Sequence, residues 1–119
     1  MIRKTNLAHR SNYGNKRSTS TIKYIVLHYT ANDGDSDENN GKYFNGANRG
    51  ASAHIFVDDD SCTQSVPDNY VAYSVGGNKY SNTKGGSLYG KATNANTLNI
   101  EMCDTVKNGK YEATAKTQE

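Results

Sequence analysis

Residues 22–28, IKYIVLH, put Ile22, Tyr24, Ile25, Val26 and Leu27 together without polar alternation. Both faces of such a segment are apolar, which predicts a buried, central strand. The run stops at His28 and passes into Tyr29, Thr30, Ala31 and Asn32. Downstream, ANDGDSDENNGKYFNGANRG predicts a helix over about 36–47. Asp35, Ser36 or Asp37 would cap it, acidic residues would complement its dipole, and Gly46 and Gly50 would mark its end. Tyr43, Phe44 and Ala47 are its expected buried stripe. ASAHIFV at 51–57 predicts a second strand. DDDS then turns, CTQSV returns as a hairpin, and Pro67 stops it.

The stretch from Val66 to Asn96 is rich in Gly, Asn and Ser and reads as a long functional loop with one short helix near 68–72. TLNIEMC at 97–103 predicts a fourth strand, with Leu98, Ile100 and Met102 on one face and Asn99, Glu101 and Cys103 on a polar one. KNG at 107–109 is a turn, and YEATAKTQE reads as the first turns of a helix. Such a helix has little to pack against, so the chain is expected to be a truncated piece. Residues 1–21 are polar and basic and read as an irregular N-terminal arm, with 22–119 as one domain.

Composition narrows this picture. The chain has 119 residues, 34% of them hydrophobic, with a mean hydropathy of −0.89. That implies a single small domain with a thin core. Fourteen Lys and Arg against twelve Asp and Glu give a net charge of +2, which is too small to argue for nucleic acid. Nine tyrosines and no tryptophan suit either a groove for a polar ligand or the covering of a polar fold. No stretch approaches the roughly 20 apolar residues of a membrane span, and the N-terminus has no apolar signal-peptide segment. Cys62 and Cys103 are too few for a disulfide framework or a zinc knuckle and read as reduced thiols, with one bridge between them left open.

The candidate chemistry is sparse. His9 lies in the polar arm and reads as solvated. His28, at a strand end beside a loop, is either a ligand for metal or substrate or a half-buried histidine satisfied by a carbonyl. Glu101 interrupts an apolar strand. It is either a carboxylate on a solvated sheet face or a buried acid with a pKa raised toward the range useful for proton transfer. Cys103 shares the face of Glu101 and is a weak metal-ligand candidate. No phosphate-loop, dinucleotide or metalloprotease motif is present. The acidic run at 58–60 reads as a solvated turn.

Taken in order, IVLHYTAN at 25–32, ASAHIFVDDD through QSVP at 51–67, AYSVGG at 72–77 and NTLNIEMC at 96–103 resemble the zinc-dependent N-acetylmuramoyl-L-alanine amidases of the type 2 class, which include phage endolysins and autolysins and share their fold with peptidoglycan recognition proteins. The resemblance covers roughly residues 20–119. It implies an α/β fold, a mixed sheet flanked by helices, here without its C-terminal helix and final ligand-bearing segment. It further implies a groove holding Zn2+, with His28 as first ligand and Glu101 as the catalytic acid–base. Tyr29, Asn32, Tyr73, Ser74 and Gly76 are implied in substrate binding, although Tyr73 and Ser74 replace the family's Trp and His. His54 is not assigned as a ligand.

The implied partner is bacterial peptidoglycan, cut between N-acetylmuramic acid and L-alanine at the cell wall after release by lysis. The alternative is a peptidoglycan-binding module or inactive fragment that does not cleave. With the family's other two ligands downstream, this chain alone is expected to bind zinc poorly and hydrolyse little. A homodimer through apolar surface left uncovered is a further expectation.

Overall fold

The computed structural model describes residues 1–119. Its main sheet has the strand order β1 (Ile2–Thr5), β5 (Ser61–Gln64), β4 (Ile55–Val57), β7 (Thr97–Lys107) and β3 (Tyr24–Asp33), with β8 (Lys110–Glu112) paired to the far end of β7. β1 runs parallel to β5, and β4 and β3 run parallel to β7, whereas β4–β5 and β7–β8 are antiparallel. The sheet is therefore mixed, as expected. A separate ribbon pairs β2 (Tyr13–Lys16) with β6 (Tyr70–Ala72). The helices are α1 (Asp37–Asn45) and the single-turn α2 (Ala115–Gln118). No helix is long and apolar enough to cross a membrane.

Several expectations are corrected. Residues 1–21 are not irregular: they supply β1, β2 and two short 3-10 turns. Their pairing partners lie about sixty residues away, and four-residue polar strands carry no local apolar signal. The short helix expected at 68–72 is strand β6, because its backbone pairs with β2. The second strand is confined to Ile55–Val57, and Tyr111 and Glu112, expected to begin a helix, belong to β8. Asn108 and Gly109 both have positive φ (52° and 75°). Asn–Gly with this geometry closes a two-residue hairpin, which turns the chain back before α2 starts. The thiols Cys62 and Cys103 are both free. Cys62 registers with Val57 and Val57 with Met102, so Cys62 and Cys103 leave the sheet on opposite faces.

β3 is an edge strand, not a central one. Ile25, Leu27 and Tyr29 are 66%, 63% and 60% exposed on one face. Val26 and His28 point the other way and are half-buried. The second apolar face that suggested a central strand is real, but it stays largely exposed, flanked only by Tyr111 and by residues 75–92 across an open cavity.

The opposite face carries α1. Ser36 caps the helix, its hydroxyl accepting from the Asn39 amide at 3.2 Å. Phe44 stacks on Phe56 of β4 at 5.4 Å. Tyr43 and Ala47, expected in the buried stripe, are exposed, and the helix instead buries Asp37, Asn40 and Gly41. Gly41 is required by close approach, since a Cβ there would come within 2.9 Å of the Thr63 methyl. Buried polar residues outnumber buried apolar ones, so hydrogen bonding organises much of the interior. Asn12 is fully buried. It donates to the Phe44 and Gly46 carbonyls at 2.8 and 2.7 Å and accepts from the Arg49 amide at 2.7 Å. This side chain satisfies the C-terminal end of α1, where helix carbonyls lack partners.

Candidate active site

Parallel pairing of β3 with β7 makes His28 and Glu101 direct register partners. Register partners project to the same face, so the two side chains stand next to each other. Phe56 is the next residue in that row, on β4. α1 covers the row from Phe56 outward and leaves His28 and Glu101 half-buried. The Oε2 atom of Glu101 is buried and has no hydrogen-bond partner. Burial pushes the Glu101 pKa up, Asp35 and Asp104 push it further, and His28 opposes them. Loss of water around an unpartnered carboxylate penalises the charged form, so this carboxyl holds a proton to higher pH than an exposed one.

His28 is tied down at one nitrogen. Its Nε2 lies 3.0 Å from Asn99 Oδ1 and 3.3 Å from Ser74 Oγ. Ser74 is delivered by a loop that a single oxygen organises: Asn94 Oδ1 accepts the amides of Ser74, Val75 and Gly76 at 3.0, 2.8 and 2.9 Å. Gly76 sits at φ +72° in this turn. Tyr73 exchanges hydrogen bonds with Ser52 at 2.9 and 3.0 Å, and its ring lies over Gly14.

Of the residues expected in substrate binding, Ser74 is brought to His28, and Tyr73 and Gly76 sit in the same loop. Tyr29 is not brought there. Strand alternation sends its side chain to the opposite face, beside Tyr111, with ring centres 6.2 Å apart. Asn32 lies within the bulge between Tyr29 and Asp33, where Ala31 adopts φ +56°. Asp104 fastens that bulge by accepting the Ala31 and Asn32 amides at 3.0 and 3.1 Å. Asn32 then faces Asn39, Asn40, Tyr43 and Phe44 rather than His28.

His54, fully buried, is a structural residue. Its Nδ1 accepts the Asn99 amide at 3.0 Å, so Nε2 carries the proton and donates to the Tyr70 carbonyl at 2.9 Å. Burial lowers its pKa, and Arg17 adds to the effect. Asn99, Asn94 and Asp104 were not singled out from the sequence. An asparagine inside the apolar run of β7, two residues from Glu101, was the one signal available for Asn99.

A cavity of about 640 Å³ opens between residues 23–27, at the start of β3, and residues 75–92, and neither His28 nor Glu101 lines it. The one group of three side chains able to ligate a common ion is Asp37, Asp58 and Asp60, which does not include His28. Asp37 is already committed there, accepting from Ser61 and Thr63 at 2.8 and 2.7 Å. The row at His28 offers one imidazole and one unpartnered carboxylate. That donor chemistry fits a first zinc ligand with an adjacent base, but it falls short of the three protein ligands a catalytic zinc takes.

The family model for N-acetylmuramoyl-L-alanine amidases matches residues 18–118. The chain therefore belongs to the N-acetylmuramoyl-L-alanine amidase family. It is 42% identical over 87 residues to the amidase BlyA of Bacillus subtilis, covering 69% of this chain and 24% of BlyA. It is 36% identical over 87 residues to the amidase CwlL of Bacillus licheniformis, covering 69% of this chain and 23% of CwlL. The chain thus spans about a quarter of the length of these curated relatives. Among solved structures, PlyL is 27% identical with a TM-score of 0.66, over 99% of this chain and 66% of PlyL. The catalytic domain of XlyA shares the fold, with a TM-score of 0.70 at 21% identity over 98% of this chain and 68% of that structure.

Proposed function

We propose that this chain is part of a peptidoglycan hydrolase that cleaves the amide between N-acetylmuramic acid and L-alanine, with His28 as a zinc ligand and Glu101 as the proton-handling residue. The observation that carries the reading is the His28–Glu101 register pair with its unpartnered, buried Oε2. Zinc, when bound, polarises the scissile carbonyl and lowers the pKa of its water to roughly 7. Glu101 stands beside that position. It takes a proton from the attacking water and returns it to the alanine nitrogen as the C–N bond breaks. Its half-burial favours holding that proton between the two steps. Ser74, with Tyr73 and Gly76 in the same loop, borders the His28 side of the site. His28 alone retains zinc weakly, so dialysed protein should carry well under one zinc per chain by elemental analysis.

The site of action is the bacterial cell wall. Purified walls incubated with the protein and excess zinc should slowly gain a small amount of free N-terminal alanine without new reducing sugar ends. His28→Ala and Glu101→Gln should both abolish this release. New reducing ends, or equal release by His28→Ala, would remove the proposal. The uncovered face around Ile25, Leu27 and Tyr29 supports a second copy of the chain as partner, readable by sedimentation.

A further inference from the structure

We propose that Asn99 is a positioning residue that fixes the ring tautomer of His28, leaving Nδ1 as a bare lone pair on the Glu101 face of the sheet. The inference rests on the zinc reading above only for the use to which that lone pair is put.

The assignment follows from a chain of bonds in which each donor is identified. The Thr97 hydroxyl donates its single hydrogen to the Thr93 carbonyl at 2.7 Å. It is then an acceptor toward Asn99, whose Nδ2 donates to it at 2.9 Å. This orients the Asn99 amide and leaves Oδ1 facing His28 Nε2 at 3.0 Å. An amide oxygen only accepts, so the hydrogen sits on Nε2. Neutral imidazole carries one ring hydrogen, so Nδ1 has none. Ser74 Oγ, 3.3 Å from the same Nε2, offers that hydrogen a second acceptor. Rotating the Asn99 amide would set two acceptors, Oδ1 and the Thr97 hydroxyl oxygen, against each other, or force Thr97 to abandon the Thr93 carbonyl. Asn99 is fully buried, so water does not repair either loss. The same residue holds His54 through its backbone amide. Partners of this kind behind a ligating histidine typically contribute 10–100-fold in metal affinity.

The test reads the tautomer first, without metal or mutation. Two-bond 1H–15N correlation spectra of metal-free protein, recorded with His28 neutral, should show hydrogen on Nε2 and a bare Nδ1. Hydrogen on Nδ1 would overturn the proposal. Asn99→Ala should convert His28 to a mixture of tautomers. Where that variant does not fold, Thr97→Val frees the amide to rotate and should do the same. An unchanged tautomer in the folded variant would show that Asn99 does not set it. Zinc titrated into the wild type should then perturb Nδ1 rather than Nε2, with affinity 10–100-fold weaker in the variant. If zinc perturbs neither nitrogen while the tautomer is as assigned, the zinc reading fails and the role of Asn99 stands.

Discussion

His28 and Glu101 occupy matched positions on adjacent parallel strands, so sheet geometry alone places an imidazole beside a carboxylate. No loop has to close to bring them together. Holding a reacting pair on rigid strands reduces the disorder that catalysis must overcome. The cost appears in the unpartnered Oε2.

That cost is measurable. Burial raises the Glu101 pKa, so its ionised form weakens the fold at neutral pH. Glu101→Gln removes the charge at nearly constant shape. It should stabilise the protein by about 1 kcal/mol, in the manner of other active-site neutralisations. Thermal denaturation at pH 7 should show a higher midpoint. A lower one would mean that the carboxylate is satisfied in solution.

Asn12 makes three hydrogen bonds from full burial to the end of α1. Asn12→Ala leaves the Gly46 carbonyl and the Arg49 amide without their partner, while the Phe44 carbonyl keeps the His9 amide, and should cost about 2–4 kcal/mol. Urea denaturation checks this. A loss under about 0.5 kcal/mol would return residues 1–21 to the status of a dispensable arm.

Asp37 is fully buried, and burial, with the neighbouring Glu38 carboxyl, raises its pKa to about 6. Below the unfolded value, near 3.9, both states bind the proton. Between about pH 4 and 6 the folded state binds more, so stability falls as pH rises through that window. Asp58 acts in the opposite sense. Burial pushes it up, but a hydrogen bond from the protonated Asp37 carboxyl, with those from the Asp37, Asp60 and Ser61 amides, outweighs this and holds it near 2. Its contribution is present above about pH 4 and is lost as pH falls toward 2. Asp37→Asn should therefore flatten the pH 4–6 slope of unfolding free energy and leave the loss below pH 4 in place. An unchanged upper slope would assign it to Glu101 instead.

Leu27 is 63% exposed on an edge strand. Leu27→Lys should change stability by no more than about 0.5 kcal/mol and reduce self-association seen by sedimentation. Unfolding of this variant would place Leu27 in a core formed only on assembly.

The sequence by itself determined the elements with strong local signals: the β3 run, the helix capped within residues 35–37, the hairpin after Phe56, the Asn–Gly turn and the β7 strand. It also singled out His28 and Glu101, because each breaks an apolar strand with a group that is costly to bury. What only the tertiary structure decided depends on partners far away in the chain. β1 and β2 form because β5 and β6 offer them hydrogen bonds, which no four-residue polar segment announces. β3 became an edge because strand order is a property of the whole sheet, while local hydrophobicity reports only that a face is apolar. Tyr29 was lost from the site by the alternation that brings His28 in. Asn99 was gained because the meaning of an amide lies in what it touches, here Thr97 on one side and an imidazole seventy-one positions earlier on the other.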